Sequence, residues 1–421
     1  MKGRLLALSW AMPPLVYPRS VQISRILKAL TERGWESSVV TLAPDADPNG
    51  LQDRQLAELY ADSYELLPVD TRESVTRSPL WLRAWRRLRR VDDVATDNWA
   101  RRAGRVLRRE TSSRQYDVLL TFAQPWIDHV IGLRIKRRNR ALPWVAHFSD
   151  PWVDNPYVRY SGEDQEARAR KHEHDVIRAA DAVIFVTRQT ADLVMSKYPK
   201  AWRSKAAVVG HGYDEDVLRH VRSGEKPSGR FRIVHTGSLY GGRGPQAILQ
   251  ALSAIAQDPE VRKVLDVEFV GYVGSEWIAM TKDHGLQDFV RFRGKCLYVE
   301  SLEAALAADL LLLIDAPATL SLFLPSKIVD YMMLRRPILG LTPASGASAD
   351  VLRSLGYPVV SPDDVDGIAT ALRVAIDNWR RGEPAGPLPD EARTAAFDVR
   401  QAALDFDRTL ERAISAAGAR G

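Results

Sequence analysis

The chain has 421 residues, of which 45% are hydrophobic and 27% charged, so it is long enough for two or three hydrophobic cores. Its one cysteine, Cys296, excludes an internal disulfide framework and a zinc site made of cysteines. The apolar run before Pro13 is too short for a signal peptide, and no stretch has the roughly 20 apolar residues that span a bilayer. We therefore expect a globular protein of the cytoplasm.

The first predicted elements form a strand–helix–strand unit. We expect a strand at Leu5–Ser9, a helix at about Ser20–Arg33 and a second strand at Ser38–Leu42. The loop of residues 10–19 follows the carboxyl end of the first strand, where open α/β sheets bind ligands. Arg19, at the end of this loop, has two interpretations: a contact to an anionic acceptor, or a surface arginine.

Residues 77–109 have the most unusual composition in the chain. They contain eleven arginines and three acids, a net charge of +8, whereas the whole chain carries +6. This local basicity predicts a patch and not general affinity for nucleic acid, although a nucleic-acid-binding helix stays an alternative that requires strongly salt-dependent binding. Tryptophan on one helical face and arginine on the other is typical of a helix in a membrane interface, but packing on the first domain explains the pattern equally well. The candidate membrane-facing residues are Trp81, Trp85, Arg83, Arg86, Arg87 and Arg90.

The remaining strands predict two domains. After further strands in the first half, a stretch rich in Gly, Pro and Ser predicts a linker at residues 216–229. Six short apolar strands without alternation then predict a second parallel sheet covered on both faces. We expect one domain at 1–215 with a basic insertion at about 77–109, a second at 230–390, and a final helical segment at 391–421.

Residues 231–251 of the second domain read as a buried strand, a glycine-rich loop and the start of a helix. Such a loop can hold a phosphate, because helix N-terminal amides point at it and Arg243 adds a positive charge. The spacing Gly-x-Gly-x-x-Gly is absent, so an ordinary strand-to-helix turn is an equally good interpretation of this loop alone.

A second motif, Pro325-Ser326-Lys327 followed by Asp330-Tyr331, reads as another helix start. A lysine next to a helix N-terminus is unfavourable unless an anion is bound there. Asp330 follows one turn later and can accept hydrogen bonds from a ribose. The two motifs together predict a site for a nucleoside diphosphate.

These motifs resemble the donor site of retaining GT-B glycosyltransferases, especially the family-four-like enzymes whose motif reads roughly Pro-Ser-Lys-x-x-Glu-Tyr. The resemblance implies two doubly wound Rossmann-like domains that face each other across a cleft, with a C-terminal crossover helix. It also implies transfer of a sugar from a UDP- or GDP-linked donor to a lipid-linked or cell-envelope glycan, without a metal or other cofactor. The expected location is the cytoplasm, with peripheral binding to the inner face of the inner membrane as a further hypothesis.

The resemblance also implies roles for particular residues. It makes Arg243 and Lys327 the catalytic cations that stabilise the departing diphosphate. The implied donor-binding residues are Gly237, Ser238, Cys296, Leu297, Pro325, Ser326, Asp330 and Tyr331. The implied acceptor or cleft residues are Pro14, Arg19, His147, Asp150, Trp152, His211 and Asp214.

The chain departs from the family pattern at several positions. Val16–Arg19 replace the glycines of the first loop, and Ser149 replaces the arginine before Asp150. Leu322 replaces the first glutamate of the Glu-x7-Glu motif, a usual contact to the donor sugar. A catalytically degenerate GT-B module that binds a nucleotide or a protein partner is therefore the alternative function, and a sugar-nucleotide epimerase of the same fold is a weaker one.

Overall fold

The computed structural model describes residues 2–47, 50–72, 94–222, 229–240 and 242–418. The chain divides into two compact units. The first unit consists of Met1–Val186, Thr190–Val209 and Ala402–Gly421, and the second of Thr187–Gln189 and Gly210–Gln401. The division therefore comes earlier than the predicted residue 215, because the turn at Gly210 and the 3-10 helix Glu215–His220 belong to the second unit.

The first unit contains a parallel sheet of seven strands. The strands are β1 Gly3–Leu8, β2 Trp35–Leu42, β3 Glu65–Val69, β4 Val118–Ala123, β5 Trp144–Phe148, β6 Ala182–Phe185 and β7 Ala206–Val208. The helices are α1 Pro18–Glu32, α2 Arg54–Leu59, α3 Val94–Ser113, α4 Ile127–Arg138, α5 Glu163–Ala179 and α6 Arg188–Ser196. The strand order is β3-β2-β1-β4-β5-β6-β7, so β1 and β4 lie at the centre. Both are apolar and almost wholly buried, because helices cover both faces of such a sheet.

The second unit contains a parallel sheet of six strands. They are β8 Phe231–Thr236, β9 Leu265–Val270, β10 Val290–Gly294, β11 Leu310–Ile314, β12 Ile338–Leu341 and β13 Val359–Val360. The helices are α7 Gln246–Ile255, α8 Pro259–Val264, α9 Ser275–Asp283, α10 Tyr298–Leu306, α11 Lys327–Met333, α12 Ala347–Ser354, α13 Val365–Arg380 and α14 Glu391–Ala395. The strand order is β10-β9-β8-β11-β12-β13. Successive strands are added toward one edge from β8 to β10 and toward the other edge from β11 to β13, so the order of addition reverses between β8 and β11. In doubly wound sheets, ligands bind at the carboxyl ends of the strands beside such a reversal.

The C-terminal helix, α15 Val399–Gly418, joins the first unit from Ala402 onward. Its buried Asp407 lies 2.7 Å from Lys2 Nζ and 2.6 Å from Arg33 Nη2, and accepts a hydrogen bond of 2.9 Å from the Trp35 indole. A buried carboxylate is tolerated when it is paired and hydrogen-bonded in this way. The last helix is thereby fixed to the amino end of the first sheet.

The prediction of two parallel α/β domains is confirmed. All six strands expected in the second domain are present. In the first domain, α1 begins at Pro18 with Tyr17 as its N-cap, so Arg19 lies in the first helical turn and not in the loop. None of the described helices combines the length and the apolar character needed to cross a membrane.

Candidate functional site

Three glycines at the carboxyl ends of β8, β9 and β10 let neighbouring chain segments turn close together. Gly237, Gly271 and Gly294 have φ angles of 104°, 131° and 78°, which L side chains rarely adopt. The Gly237 N–H donates to Val270 O at 2.7 Å, and a Cβ atom on Gly271 would lie only 2.5 Å from Gly237 O. Sequence reasoning missed Gly271, although a glycine directly after a buried strand was a signal for it.

Lys327 lies against the first of these glycines. A Cβ atom on Gly237 would be 2.5 Å from Lys327 Nζ, so a side chain at this position would displace the amine. Lys327 Nζ is also 3.1 Å from Nε2 of buried His235, whose Nδ1 is 2.9 Å from the Leu312 carbonyl. A carbonyl only accepts, so Nδ1 carries the proton and Nε2 accepts from the lysine. Burial and the nearby Lys327 charge keep the pKa of His235 well below its ordinary value, so the histidine is neutral.

Arg243 supplies a second cation beside Lys327. Its guanidinium is 3.1 Å from Asp315 Oδ1, and its side chain is only 18% exposed. Asp315 is buried and also accepts from the hydroxyls of Ser321 at 2.8 Å and Ser348 at 3.1 Å, so its orientation is fixed. Burial, followed by the charge of Arg243, lowers the pKa of Lys327 to about 7. The two cations therefore repel each other, and an anion between them would relieve that repulsion.

Asp330 and Tyr331 are adjacent in sequence but have different surroundings. The Tyr331 hydroxyl is fully buried, accepts from the Thr236 N–H at 2.8 Å and lies 3.3 Å from the Leu312 carbonyl. It therefore fixes the end of β8 and is not placed to touch a ligand, which corrects its prediction as a donor-binding residue. Asp330 is partly exposed and accepts from the Tyr298 hydroxyl at 3.1 Å, so Tyr298 orients the predicted ribose contact.

The helix after the Pro-Ser-Lys motif starts later than predicted. Pro325 is buried and Ser326 is the N-cap, without a side-chain capping bond, while α11 begins at Lys327 and has only seven residues. So short a helix has little dipole to offer. The positive character of this site therefore comes from the side chains of Lys327 and Arg243.

The predicted donor-binding residues Ser238, Cys296 and Leu297 flank the same edge. Ser238 directly follows Gly237, and its amide nitrogen would be 3.0 Å from a Cβ atom on Gly271. Burial raises the pKa of the half-buried Cys296 thiol to about 11, so it is not a reactive thiolate at neutral pH. The Leu297 N–H donates to Glu300 Oε2 at 2.9 Å, and the Leu297 carbonyl accepts from the Ser301 N–H at 3.1 Å.

In the first unit, the ends of β4 and β5 bring a polar cluster next to α1. The Arg19 guanidinium contacts Ser149 Oγ and lies 3.3 Å from Nδ1 of buried His147. Asp150 Oδ2 accepts from Ser149 Oγ at 3.0 Å and from the Gln124 amide at 3.0 Å. Burial lowers the pKa of Arg19 to about 10. The structure thus brings Arg19, His147 and Asp150 together with Ser149 and Gln124, and their contact with an acceptor stays a prediction.

Sequence reasoning missed a buried carboxylate beneath this cluster. Asp128 is fully buried and accepts hydrogen bonds from the Trp10 N–H at 2.9 Å and from the Trp99 indole at 2.6 Å. Burial raises its pKa to about 7. Asp128 therefore fixes the loop after β1 from below. Only the packing of α3 and α4 shows this role. In the sequence, an aspartate in the first turn of a helix indicates no more than a favourable interaction with the helix dipole.

Pro14 and Trp152 have contacts within the loops of the first unit. The Pro14 carbonyl accepts from the Asp53 N–H at 2.7 Å, so it links the first loop to the start of α2. Trp152 is buried and stacks on Trp126 with ring centroids 5.2 Å apart and an interplanar angle of 7°. Both residues shape the loops of the first unit and neither presents a polar group that the structure aims at a substrate.

His211 and Asp214, predicted at the cleft, belong to the second unit. Asp214 is 2% exposed and caps the helix Glu215–His220 by accepting from the Asp216 N–H at 3.2 Å, which corrects its assignment to the acceptor site. His211 is partly exposed. Leu322, at the position of the missing glutamate, accepts from the Thr187 hydroxyl through its carbonyl at 2.8 Å.

The predicted membrane-facing residues, Trp81, Trp85, Arg83, Arg86, Arg87 and Arg90, lie outside the described residues. Within the described ranges, no group of three or more His, Cys, Asp or Glu side chains is placed to hold a metal ion. Metal independence stays a prediction.

Comparison with known proteins identifies the fold and one domain. Residues 20–212 match the family model of the glycosyl transferase 4-like domain. Sucrose-phosphate synthase from Thermosynechococcus elongatus aligns with 96% of this chain and 98% of its own, at 15% identity and a TM-score of 0.67. A trehalose-6-phosphate protein from E. coli, bound with UDP-2-fluoro glucose, aligns with 97% and 99% at 13% identity and a TM-score of 0.62. No curated protein sequence matches the chain.

The same fold also occurs in proteins of another activity. UDP-GlcNAc 2-epimerase from Neisseria meningitidis, bound to UDP-GlcNAc, aligns with 97% of this chain and 99% of its own, at 12% identity and a TM-score of 0.59. At such low identities, these likenesses show the fold alone. The chain has the GT-B fold, and its residues 20–212 match the family model of the glycosyl transferase 4-like domain.

Proposed function

We propose that this protein is a retaining glycosyltransferase that moves a sugar from a nucleoside-diphosphate sugar to a hydroxyl of a lipid-linked or cell-envelope glycan. One observation carries the proposal. Lys327 and Arg243 lie close together at the carboxyl edge of β8, and the charges of Asp315 and Asp330 do not offset the effect of burial and of Arg243, which lower the pKa of Lys327 to about 7. A diphosphate is the ligand whose charge and size suit such a pair.

The surroundings of Lys327 suit an anion that approaches the backbone closely. Glycines at positions 237 and 271 leave no side chain over the strand ends, and the neutral His235 gives the lysine a partner without neutralising its charge. Asp315 fixes Arg243, so the guanidinium is oriented before a ligand arrives. Such preorganised charges cost little reorganisation during a reaction.

The proposed chemistry follows from where charge develops. As the bond between the sugar carbon and the diphosphate oxygen breaks, negative charge grows on the diphosphate, and Lys327 and Arg243 stabilise it. The acceptor hydroxyl forms the new bond on the same face of the sugar, and its proton passes to the departing diphosphate. The cations replace a metal in this scheme, so no metal or other cofactor is part of the proposal.

Solved structures of the same fold support a uridine nucleotide as the first donor to test. Their descriptions include a UDP complex of MnaA from S. aureus and complexes of other proteins with UDP-2-fluoro glucose and UDP-GlcNAc. A description of another neighbour, TarM from S. aureus, names α-GlcNAc-glycerol and UDP. Cytoplasmic location and peripheral membrane binding through residues 77–109 remain part of the proposal, and sedimentation with anionic vesicles at low salt tests the latter.

The proposal is tested by binding and by turnover. In thermal unfolding with UDP, GDP, ADP and their common sugars, the Tm should rise with one nucleotide. A ligand at 100 times its Kd stabilises the folded protein by about 2.7 kcal/mol. Lys327→Ala should abolish the shift while the protein stays folded. Lys282→Ala, which removes an exposed lysine of the same unit, should behave like the wild type.

The outcomes separate the proposed enzyme from the alternatives. Nucleotide binding without hydrolysis of the sugar nucleotide or transfer to any acceptor would support the degenerate module suggested by Leu322. Conversion of UDP-GlcNAc to its 2-epimer would support an epimerase. Full activity of Lys327→Ala would refute the assignment of the site.

A further inference from the structure

Arg19 is held by neutral partners at the carboxyl edge of the first sheet. Its guanidinium contacts the Ser149 hydroxyl and lies 3.3 Å from His147 Nδ1, and neither group carries a negative charge. The side chain is partly exposed, so it is neither a free surface arginine nor a fully buried one. Because a guanidinium has five N–H donors in a fixed fork, these two contacts leave donors for a further acceptor.

Arg19 forms no ion pair with any residue in the described ranges, in contrast to Arg33 and Arg137, which lie 2.6 Å and 3.0 Å from aspartates. The nearest charges are Asp150 and Asp128, which raise its pKa from a distance but do not offset the effect of burial, so the pKa falls to about 10. Asp150 is already occupied by donors from Ser149 and Gln124. Asp128 is buried, with two donors of its own and a pKa raised to about 7, which weakens its negative charge near neutral pH.

Asp150 and Asp128 are the acids that act on Arg19, and neither lies on the helix that carries it. Arg19 is the second residue of α1, a helix of 15 residues whose first turn contains no acid. An anion there would meet the guanidinium near the positive end of the helix dipole. The fork geometry of arginine suits the two oxygens of a phosphate or carboxylate group.

We infer that the acceptor carries an anionic group, a phosphate or a carboxylate, which Arg19 binds in the first unit while His147 and Ser149 hold the guanidinium in place. This inference rests on the proposed function, because it names the class of acceptor for the same reaction. The second unit already supplies Lys327 and Arg243 for the diphosphate of the donor. Arg19 is therefore assigned to the acceptor and not to the donor.

The test compares charged and neutral sugars on the full chain. Calorimetric titration with glucose 6-phosphate, glucuronate and glucose gives three arms that distinguish a phosphate, a carboxylate and a neutral acceptor. The variants are Arg19→Gln, Arg19→Lys, Lys327→Ala and the control Arg105→Gln, which removes an exposed arginine of α3. UDP and GDP are titrated into the same variants.

We expect at least one anionic sugar to bind more tightly than glucose, and Arg19→Gln to weaken that binding about 10- to 100-fold. Arg19→Lys should recover part of the loss, because it keeps the charge but not the fork. Lys327→Ala and Arg105→Gln should bind the anionic sugar normally, and Arg19→Gln should bind the nucleotide normally. That last result also shows that Arg19→Gln has not unfolded the site.

Two results would overturn the inference. In a protein that binds a nucleotide, one such result is that charged and neutral sugars bind equally, or that neither anionic sugar binds at millimolar concentration. The other is a loss of nucleotide affinity in Arg19→Gln, which would make Arg19 a donor contact. Failure of the proposed function is a separate result, since it shows as the absence of nucleotide binding that depends on Lys327.

Discussion

Binding of a sugar nucleotide should weaken as the pH rises through neutrality, because the protonated form of Lys327 is the form that binds the diphosphate. The pKa of Lys327 is lowered to about 7 in the free protein by burial and by Arg243. A bound diphosphate adds negative charge and raises this pKa, so binding takes up a proton wherever the free lysine is deprotonated.

The size of the effect follows from the two protonation states. With a free pKa of about 7, about nine-tenths of the molecules carry the charge at about pH 6, and about one-tenth at about pH 8. The Kd should therefore rise about tenfold over this range, equivalent to about 1.4 kcal/mol. His235 does not contribute, because its pKa lies well below this window.

Calorimetry in buffers of different ionisation enthalpy measures both the Kd and the proton uptake. The wild type should take up almost one proton per ligand at about pH 8 and almost none at about pH 6. Lys327→Arg is the matched variant, because its guanidinium stays charged throughout and should give a flat profile. The variant keeps Asp128, which also titrates near neutrality, so any remaining slope measures groups other than Lys327.

The reasoning would be refuted by a wild-type Kd that does not change between these pH values. It would equally be refuted by a slope in Lys327→Arg as large as that of the wild type, since another group would then be responsible. A sugar nucleotide is the right probe because its diphosphate, unlike that of a free nucleoside diphosphate, has no group that titrates near neutral pH.

Two further predictions concern stability, both measured by urea denaturation. Lys327→Met should raise the free energy of unfolding at about pH 6, because the pKa of the lysine falls from 10.5 in the unfolded chain to about 7 on folding. The wild type should therefore become more stable as the pH rises above 7, and the variant should lack that gain. Equal pH profiles would show that the lysine pKa is not lowered. Gly271→Ala should cost about 2–4 kcal/mol, because its Cβ atom would lie 2.5 Å from Gly237 O at a φ of 131°. Gly285→Ala, with a φ of 62° and open space around it, should cost about 1 kcal/mol, and an equal loss in the two variants would contradict the predicted clash.

The sequence by itself determined the elements and the two main cations of the site. Strands in which apolar and polar residues do not alternate indicate a parallel sheet that is buried on both faces. Six such strands were predicted in the second half of the chain, and six are observed there. Arg243 and Lys327 were recognisable because each lies where a loop leads into a helix, and a local pattern of this kind is preserved in the fold. The turn at Gly237 was predictable for the same reason, since glycine, which has no Cβ atom, adopts a positive φ without strain.

Only the tertiary structure decided what surrounds these residues. His235, Asp315 and Gly271 come from three different strand ends, and nothing in their local sequence says that they meet near Lys327. The direction of the Tyr331 hydroxyl, into the sheet and not toward a ligand, was equally unreadable. The pKa of Lys327 and the neutral partners of Arg19 depend on burial and on contacts between distant segments. Such quantities are fixed by packing, because desolvation and charge act through space and not along the chain.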